Sequence, residues 1–250
     1  MSLVLHGTNG ITFPSGNEIA VADLKDGTDG ELITWDASGN PAAVAVGNAS
    51  EVLTSGGVGV APTFQAAATG GWAFIQSQDA SSDATIDFTG FDDASYDAYL
   101  LVLINVIPVT DNVSAMVRTS TDGGVGFDAG ASDYAWSIVH QDDGGTLAAD
   151  TDAADGAMDL RGDAASSQIG SAAGEYGMSG TVWIFGPGLA NDTHFKWEVM
   201  YESSSASAVP NTTRGGGYRI SAADVDAIQF LFSSGNVESG TLNLYGIKNA

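Results

Sequence analysis

Sliding the chain over itself by twenty residues superposes Gly27-Thr28-Asp29-Gly30-Glu31-Leu32-Ile33-Thr34 on Gly47-Asn48-Ala49-Ser50-Glu51-Val52-Leu53-Thr54, and Gly39 on Gly59. The shared pattern is G-x-x-x-E-Φ-Φ-T-x-x-x-x-G, with one short β-prone triplet per copy between Gly, Asn, Ser and Pro turn signals. One such unit owns too few apolar side chains to make a core. It must therefore stack on a neighbour, in its own chain or in another. The repeat divides the sequence into a lead-in over 1–26, a repeat linker over 27–69 and a strand-rich block over 70–250.

Within the last block, candidate strands follow one another at sandwich-like spacing: Trp72–Ser77, Ala84–Phe88, Tyr96–Ile107, Val113–Thr119, Tyr134–His140, Gly180–Phe185, His194–Tyr201, Asp226–Phe232 and Thr241–Ile247. Gly, Asp and Ser turns separate them. Glycine reaches 33 of 250 residues but without a G-X-Y period, which excludes collagen and favours a turn-dense all-β fold. The expected architecture is a β-rich repeat stalk followed by an antiparallel, jelly-roll-like β-sandwich head. Its central strand, Tyr99-Leu100-Leu101-Val102-Leu103-Ile104-Asn105-Val106-Ile107, is apolar on both faces. Such a strand must be covered twice, once by the sandwich core and once by something else, a neighbouring subunit being one candidate. Pro108 ends the run.

The charge balance is 31 acids against 7 bases, net −24. That surface repels phosphate backbones and anionic membranes, and no Lys/Arg cluster offsets it, so neither nucleic acid nor membrane insertion is expected. Solubility in a salty medium is the plain reading and cation binding the sharper one. With no cysteine, disulfides and thiolate metal sites are impossible. Met1-Ser2-Leu3-Val4-Leu5-His6-Gly7 has neither a basic n-region nor an apolar h-region, so no signal peptide is expected. A protein made in the cytoplasm and working outside would leave by another route, such as a particle released by lysis. The lead-in alternates weakly through Leu3, Leu5, Ile11 and Phe13, a segment suited to docking on a larger assembly.

Chemistry-bearing motifs are scarce. No G-x-S-x-G elbow, H-x-x-x-H or H-E-x-x-H occurs, and structural roles are expected for His6, His140 and His194. Glu198 and Glu202 could pair for glycoside hydrolysis, but among so many acids some pair always exists. The stretch from Gln141 to Gly177 reads as a long Asp/Ala-rich loop, and loops on rigid β scaffolds commonly carry function. Asp142, Asp143, Asp150, Asp152 and Asp155 are accordingly the candidate receptor-binding residues. The run Asp150-Thr151-Asp152-Ala153-Ala154-Asp155-Gly156 resembles the start of an EF-hand loop, but Ala154 and Arg161 stand where ligands are required. A loose surface Ca²⁺ site within 141–163 stays open as an alternative to no cofactor at all. Gly123-Gly124-Val125-Gly126-Phe127-Asp128 is better read as a Gly-rich hairpin than as a lone calcium nonapeptide. Arg161-Gly162-Asp163 is an adhesion tripeptide by letter only. Trp72, Trp136, Trp183 and Trp197 lie in predicted strands and are expected to fill the core, with a sugar-stacking platform as the alternative for one or two.

Several stretches together resemble the β-sandwich heads of bacteriophage tail-fibre and related virion proteins. They are Ile169-Gly170-Ser171-Ala172-Ala173-Gly174-Glu175, Met178-Ser179-Gly180-Thr181-Val182-Trp183-Ile184-Phe185, the block from Asp226 to Val237, and Ser239-Gly240-Thr241-Leu242-Asn243-Leu244-Tyr245-Gly246-Ile247-Lys248. Val117–Phe127 and Ala131-Ser132-Asp133-Tyr134 resemble the same heads. The repeat with its Ala61-Pro62-Thr63-Phe64 ending is similar to the linkers before them, and Gly7–Gly16 to phage fibre N-termini. The resemblance implies a non-enzymatic homotrimer on the surface of a phage particle, fixed to another virion protein by 1–26. Its head would bind a host surface glycan or outer-membrane protein. A capsid fibre or decoration protein is the alternative, and a polysaccharide depolymerase the least supported reading.

If self-repulsion of the −24 chain opposes folding, salt should relieve it. Raising ionic strength from ~10 mM to ~1 M shortens the Debye length from ~30 Å to ~3 Å. The melting temperature should rise across that range; a fall would contradict this account of the charge.

Overall fold

The computed structural model describes residues 27–67, 71–141, 145, 147–161, 168–171, 176–189, 191–204 and 210–249. Over these residues the protein is all-β, with no helix and hence none long enough to cross a membrane. The chain divides into two compact units, Met1–Ala68 and Thr69–Ala250.

In the first unit each repeat copy folds as a hairpin: β1 (Leu32–Trp35) with β2 (Pro41–Val44), and β3 (Glu51–Thr54) with β4 (Thr63–Ala66). The sequence pattern marks only the first strand of each copy, because Pro-Ala-Ala-Val and Thr-Phe-Gln-Ala have modest β-propensity of their own. Pairing supplies what propensity lacks. The repeated glutamate has a repeated task. Glu31 Oε2 accepts from the Thr28 backbone N–H at 2.9 Å, and Glu51 Oε2 from that of Asn48 at 2.7 Å. The Asn48 backbone amide, with its side-chain amide, holds the exposed Glu51 carboxyl below its ordinary range. Gly39 and Gly59 sit at φ 80° and 79°, conformations that favour glycine in the two hairpin loops. Among the described residues of this unit only Val44 is buried. Ile33 and Trp35 are 65% and 64% exposed.

The second unit holds an eight-stranded antiparallel sheet in the order β10-β9-β14-β13-β12-β7-β16-β5 and a four-stranded sheet in the order β11-β8-β15-β6. The strands are β5 (Trp72–Asp79), β6 (Ile86–Thr89), β7 (Tyr96–Pro108), β8 (Ala115–Ser120), β9 (Tyr134–Gln141) and β10 (Leu147–Asp155). They continue with β11 (Met158–Asp159), β12 (Met178–Phe185), β13 (His194–Glu202), β14 (Pro210–Arg219), β15 (Ala227–Phe232) and β16 (Val237–Lys248). All nine strands read from the sequence of this block are present. One core joins the two sheets: Leu101, Leu103, Val182 and Trp197 from the larger, Phe88, Val117, Ile228 and Phe230 from the smaller. Buried polar groups tie the crossings. The Tyr134 hydroxyl accepts from the Thr119 N–H at 2.8 Å, and the Trp197 indole donates to the Leu160 carbonyl at 3.0 Å. Burial pushes the Tyr201 hydroxyl up to about 12, so it stays protonated.

One sequence expectation is corrected here. The stretch from Gln141 to Gly177, read as a loop, contains β10 and β11 and a bridge at Ile169 to both Val113 and Ser203. Its Ala/Asp alternation is that of a strand with little apolar content, which suits a sheet edge. β14, absent from the strands read from the sequence, carries Arg214-Gly215-Gly216-Gly217 in a sheet interior. The neighbours explain its glycines. A Cβ on Gly215 would lie 2.5 Å from the Trp197 ring and 2.6 Å from Ile138. Trp197 and Ile138 occupy the space that a β14 side chain would take, so the strand's packing is done by its partners. Gly215→Ala should thus cost about 1–3 kcal/mol through overpacking. Gly216→Ala, whose Cβ meets only the Phe195 carbonyl at 3.3 Å, should cost less. Equal denaturant midpoints for the two variants would contradict this packing account.

Candidate functional site

The outer face of the eight-stranded sheet carries exposed aromatic residues and two adjoining grooves. Along β12, Val182 and Ile184 are fully buried in the core, and strand alternation turns Thr181, Trp183 and Phe185 outward. Along β7 the same alternation sends Tyr99, Leu101 and Leu103 inward and Leu100, Val102 and Ile104 outward. Pairing aligns these residues into rows across four strands. One row runs Phe74, Tyr245, Leu100, Trp183. The next runs Trp72, Ile247, Ala98, Phe185.

The aromatic residues of these rows pack on one another. Trp72 meets Trp183 edge-on with centroids 5.4 Å apart, Phe74 meets Tyr245 at 5.6 Å, and Trp183 lies parallel to Phe185 at 5.8 Å. Beneath them Leu100 is only 8% exposed although it points away from the core. The cover is incomplete, since Trp72 and Phe74 remain 53% and 59% exposed. Trp136 and Trp197 fill the core as expected from the sequence. Trp72 and Trp183 do not; they stand on this outer face, because alternation leaves them no inward position.

Beside the aromatic rows, Gly216 withdraws the surface of β14. A groove of ≈640 Å³ opens there, lined by Phe185, His194, Tyr218, Gly216, Ser137 and Thr151. His194 and Tyr218 meet edge-on at 6.1 Å. A second groove of ≈790 Å³ adjoins it across Gly216, with Val139 and Arg214 in its wall. Arg214 pairs with Glu198 at 2.8 Å. Both side chains are more than half exposed, so the pair stabilises little. Aromatic edges beside hydroxyls, an imidazole and a guanidinium suit a polar ring-shaped ligand with apolar faces.

Two of the acidic candidates border these grooves, Asp152 the first and Asp150 the second. Asp142 and Asp143 fall outside the described residues, as do Leu3, Leu5, Ile11, Phe13 and His6. Asp150, Asp152 and Asp155 pair in register with Ile138, Trp136 and Tyr134, whose side chains enter the core. They therefore point to the core side of the edge strand, opposite the aromatic face. Asp155 accepts from the Trp136 indole at 3.0 Å, and Asp152 accepts from the Ala154 N–H at 2.8 Å. A strand conformation over 147–155 is incompatible with an EF-hand loop. Among the described residues no group of three or more His, Cys, Asp or Glu is placed to hold a metal. Arg161 is 1% exposed, with Nη2 donating to Ser114 Oγ at 2.7 Å, so its guanidinium is held inside; Gly162 and Asp163 fall outside the described residues.

Glu198 and Glu202 stand four residues apart on β13, roughly 13 Å at ~3.3 Å per residue. That exceeds the ~5–10 Å of a glycosidase pair. Glu198 is engaged by Arg214, and Glu202 Oε2 accepts from the Tyr176 N–H at 2.8 Å. Sequence reasoning missed His194, Gly216 and Tyr218. The Gly-Gly-Gly run before Tyr218 was the available signal.

No family model matches the chain, and neither a curated protein nor a solved structure gives a significant match.

The burial of Leu100 supplies a test of the outer cover. If the aromatic residues shield it as a core would, Leu100→Ala should cost about 2 kcal/mol. A loss below ~0.5 kcal/mol in urea unfolding, usual for an exposed position, would mean that this face is open.

Proposed function

We propose that the chain is the protomer of a homotrimeric fibre or spike on a tailed-phage particle. Residues 1–26 attach it to another virion protein, 27–69 form a short stalk, and 70–250 form a jelly-roll-like sandwich head that binds the host cell surface. The observation that carries this reading is the first unit. Its described residues form two repeat hairpins with one buried residue, Val44, and with Leu32, Ile33, Trp35, Val52 and Leu53 all more than 40% exposed. Such a unit stabilises itself only by sharing its apolar side chains with copies. The resemblance of the head and linker sequences to virion fibres supports the same reading.

The paired grooves over β9, β10 and β14 are the part of the head best suited to a host surface glycan. Tyr218 and Phe185 offer ring faces, while His194, Ser137, Thr151 and Arg214 offer hydrogen bonds. Threefold repetition would convert a weak single contact into strong adsorption. A capsid decoration role is the second reading, favoured by there being only two repeat copies between the lead-in and the strand-rich block. In that role the grooves have no obligatory ligand.

Binding of the purified chain to host cells, with and without excess cell-surface polysaccharide, separates the two. Adsorption predicts binding that the polysaccharide competes away and that Tyr218→Ala weakens about tenfold, about 1.4 kcal/mol. No binding at micromolar protein would leave decoration as the role.

A further inference from the structure

The outer face of the large sheet has two halves of different chemistry. Over β13, β14, β9 and β10 it mixes Lys196, Glu198, Arg214 and His194 with hydroxyls. Over β5, β16, β7 and β12 it is uncharged through three consecutive rows, the two aromatic ones and a third of Ser77, Asn243, Val102 and Thr181. This is a chain in which 31 of 250 residues are acids. We propose that this uncharged half is the face through which copies of the chain associate, its occupant being a second copy. The inference rests on the homotrimeric reading above and says which surface of the head takes part.

The physical case has three parts. Copies of a −24 chain repel one another over most of their surface, and contact is least opposed where neither copy brings a charge. The composition also fits. Trp72, Phe74, Tyr245 and Trp183 surround aliphatic residues, which is the enrichment found at the centre of protein interfaces. A sugar would find few hydrogen-bonding groups in the first two rows, where the Tyr245 hydroxyl and the Trp72 and Trp183 indole N–H groups are all that the side chains offer.

The third part is area. Four strands ~4.8 Å apart and three rows spanning ~20 Å give roughly 400 Å² of flat sheet. A standard interface takes ~800 Å² from each partner. The face is therefore about half of what stable association needs. The exposed apolar residues of the first unit, on the same chain, add to the surface that association can bury.

Sedimentation equilibrium of the full chain and of its Trp72→Lys/Phe74→Lys double variant tests this. Both residues are more than half exposed, so the protomer's own fold should survive. The wild type should sediment as a trimer, and the variant's subunit affinity should fall about 100-fold, tenfold or more for each interface aromatic. A trimeric wild type with an equally trimeric variant overturns this inference alone. A wild type that is monomeric overturns the homotrimeric reading together with it. A variant that keeps the trimer mass but loses glycan binding overturns it in favour of a sugar platform.

Should the double variant fail to fold, Ser77→Cys supplies a second measurement. It would be the sole thiol in a chain with no cysteine. Spin labels there should lie closer together in the trimer than the ~40 Å width of the sheet. Greater separation overturns the inference.

Discussion

Strand β7 is apolar on both faces, and the sheet built around it has to be covered twice. Its inward residues Tyr99, Leu101 and Leu103 meet the four-stranded sheet and are 0–1% exposed. Its outward residues Leu100, Val102 and Ile104 have no second sheet among the described residues. The protein covers them from within the same layer, by laying Trp72 and Trp183 against each other across the intervening strands. That cover is good at Leu100 and thin at Ile104, which is 46% exposed. The larger sheet thus has a finished face and an unfinished one, and the functional reading of the head follows from the second.

Charge and glycine shape the unfinished face further. Acids are excluded from its central rows, while β10 turns Asp150, Asp152 and Asp155 to the other side of the sheet. Glycine acts on both surfaces of β14. Gly215 makes room inward for Trp197, and Gly216 opens the outward groove beside Tyr218 and His194. One short run of small residues therefore serves the core and the candidate site together. A bulky residue at either position would test a different property of the molecule.

Much of this was legible in the sequence wherever apolar residues recur with a strand's period. Tyr96–Ile107 and His194–Tyr201 announce themselves because their buried residues are large. β14 was hidden because its partners' side chains do its packing, a tertiary relation that no local pattern carries. β10 was hidden for the converse reason: as an edge strand it buries little, so Ala and Asp suffice. The acidic residues were legible as a group but not in their direction. A strand's pleat sends Asp150 and Asp152 to the core side, and that parity depends on a register with β9 fixed only on folding. The twenty-residue repeat was legible as a period, but each copy proved to be a hairpin, with a second strand drawn from weakly β-prone residues.

The central claim is that the apolar side chains of 27–67 are ordered only in the company of other copies. Hydrogen exchange over that segment, followed in the full chain as it is diluted through the range where its mass changes, tests it most directly. The account predicts that the amides of Leu32–Trp35 and Glu51–Thr54 are protected in the assembled form and lose that protection as protomers separate. Equal protection in an isolated protomer would contradict it.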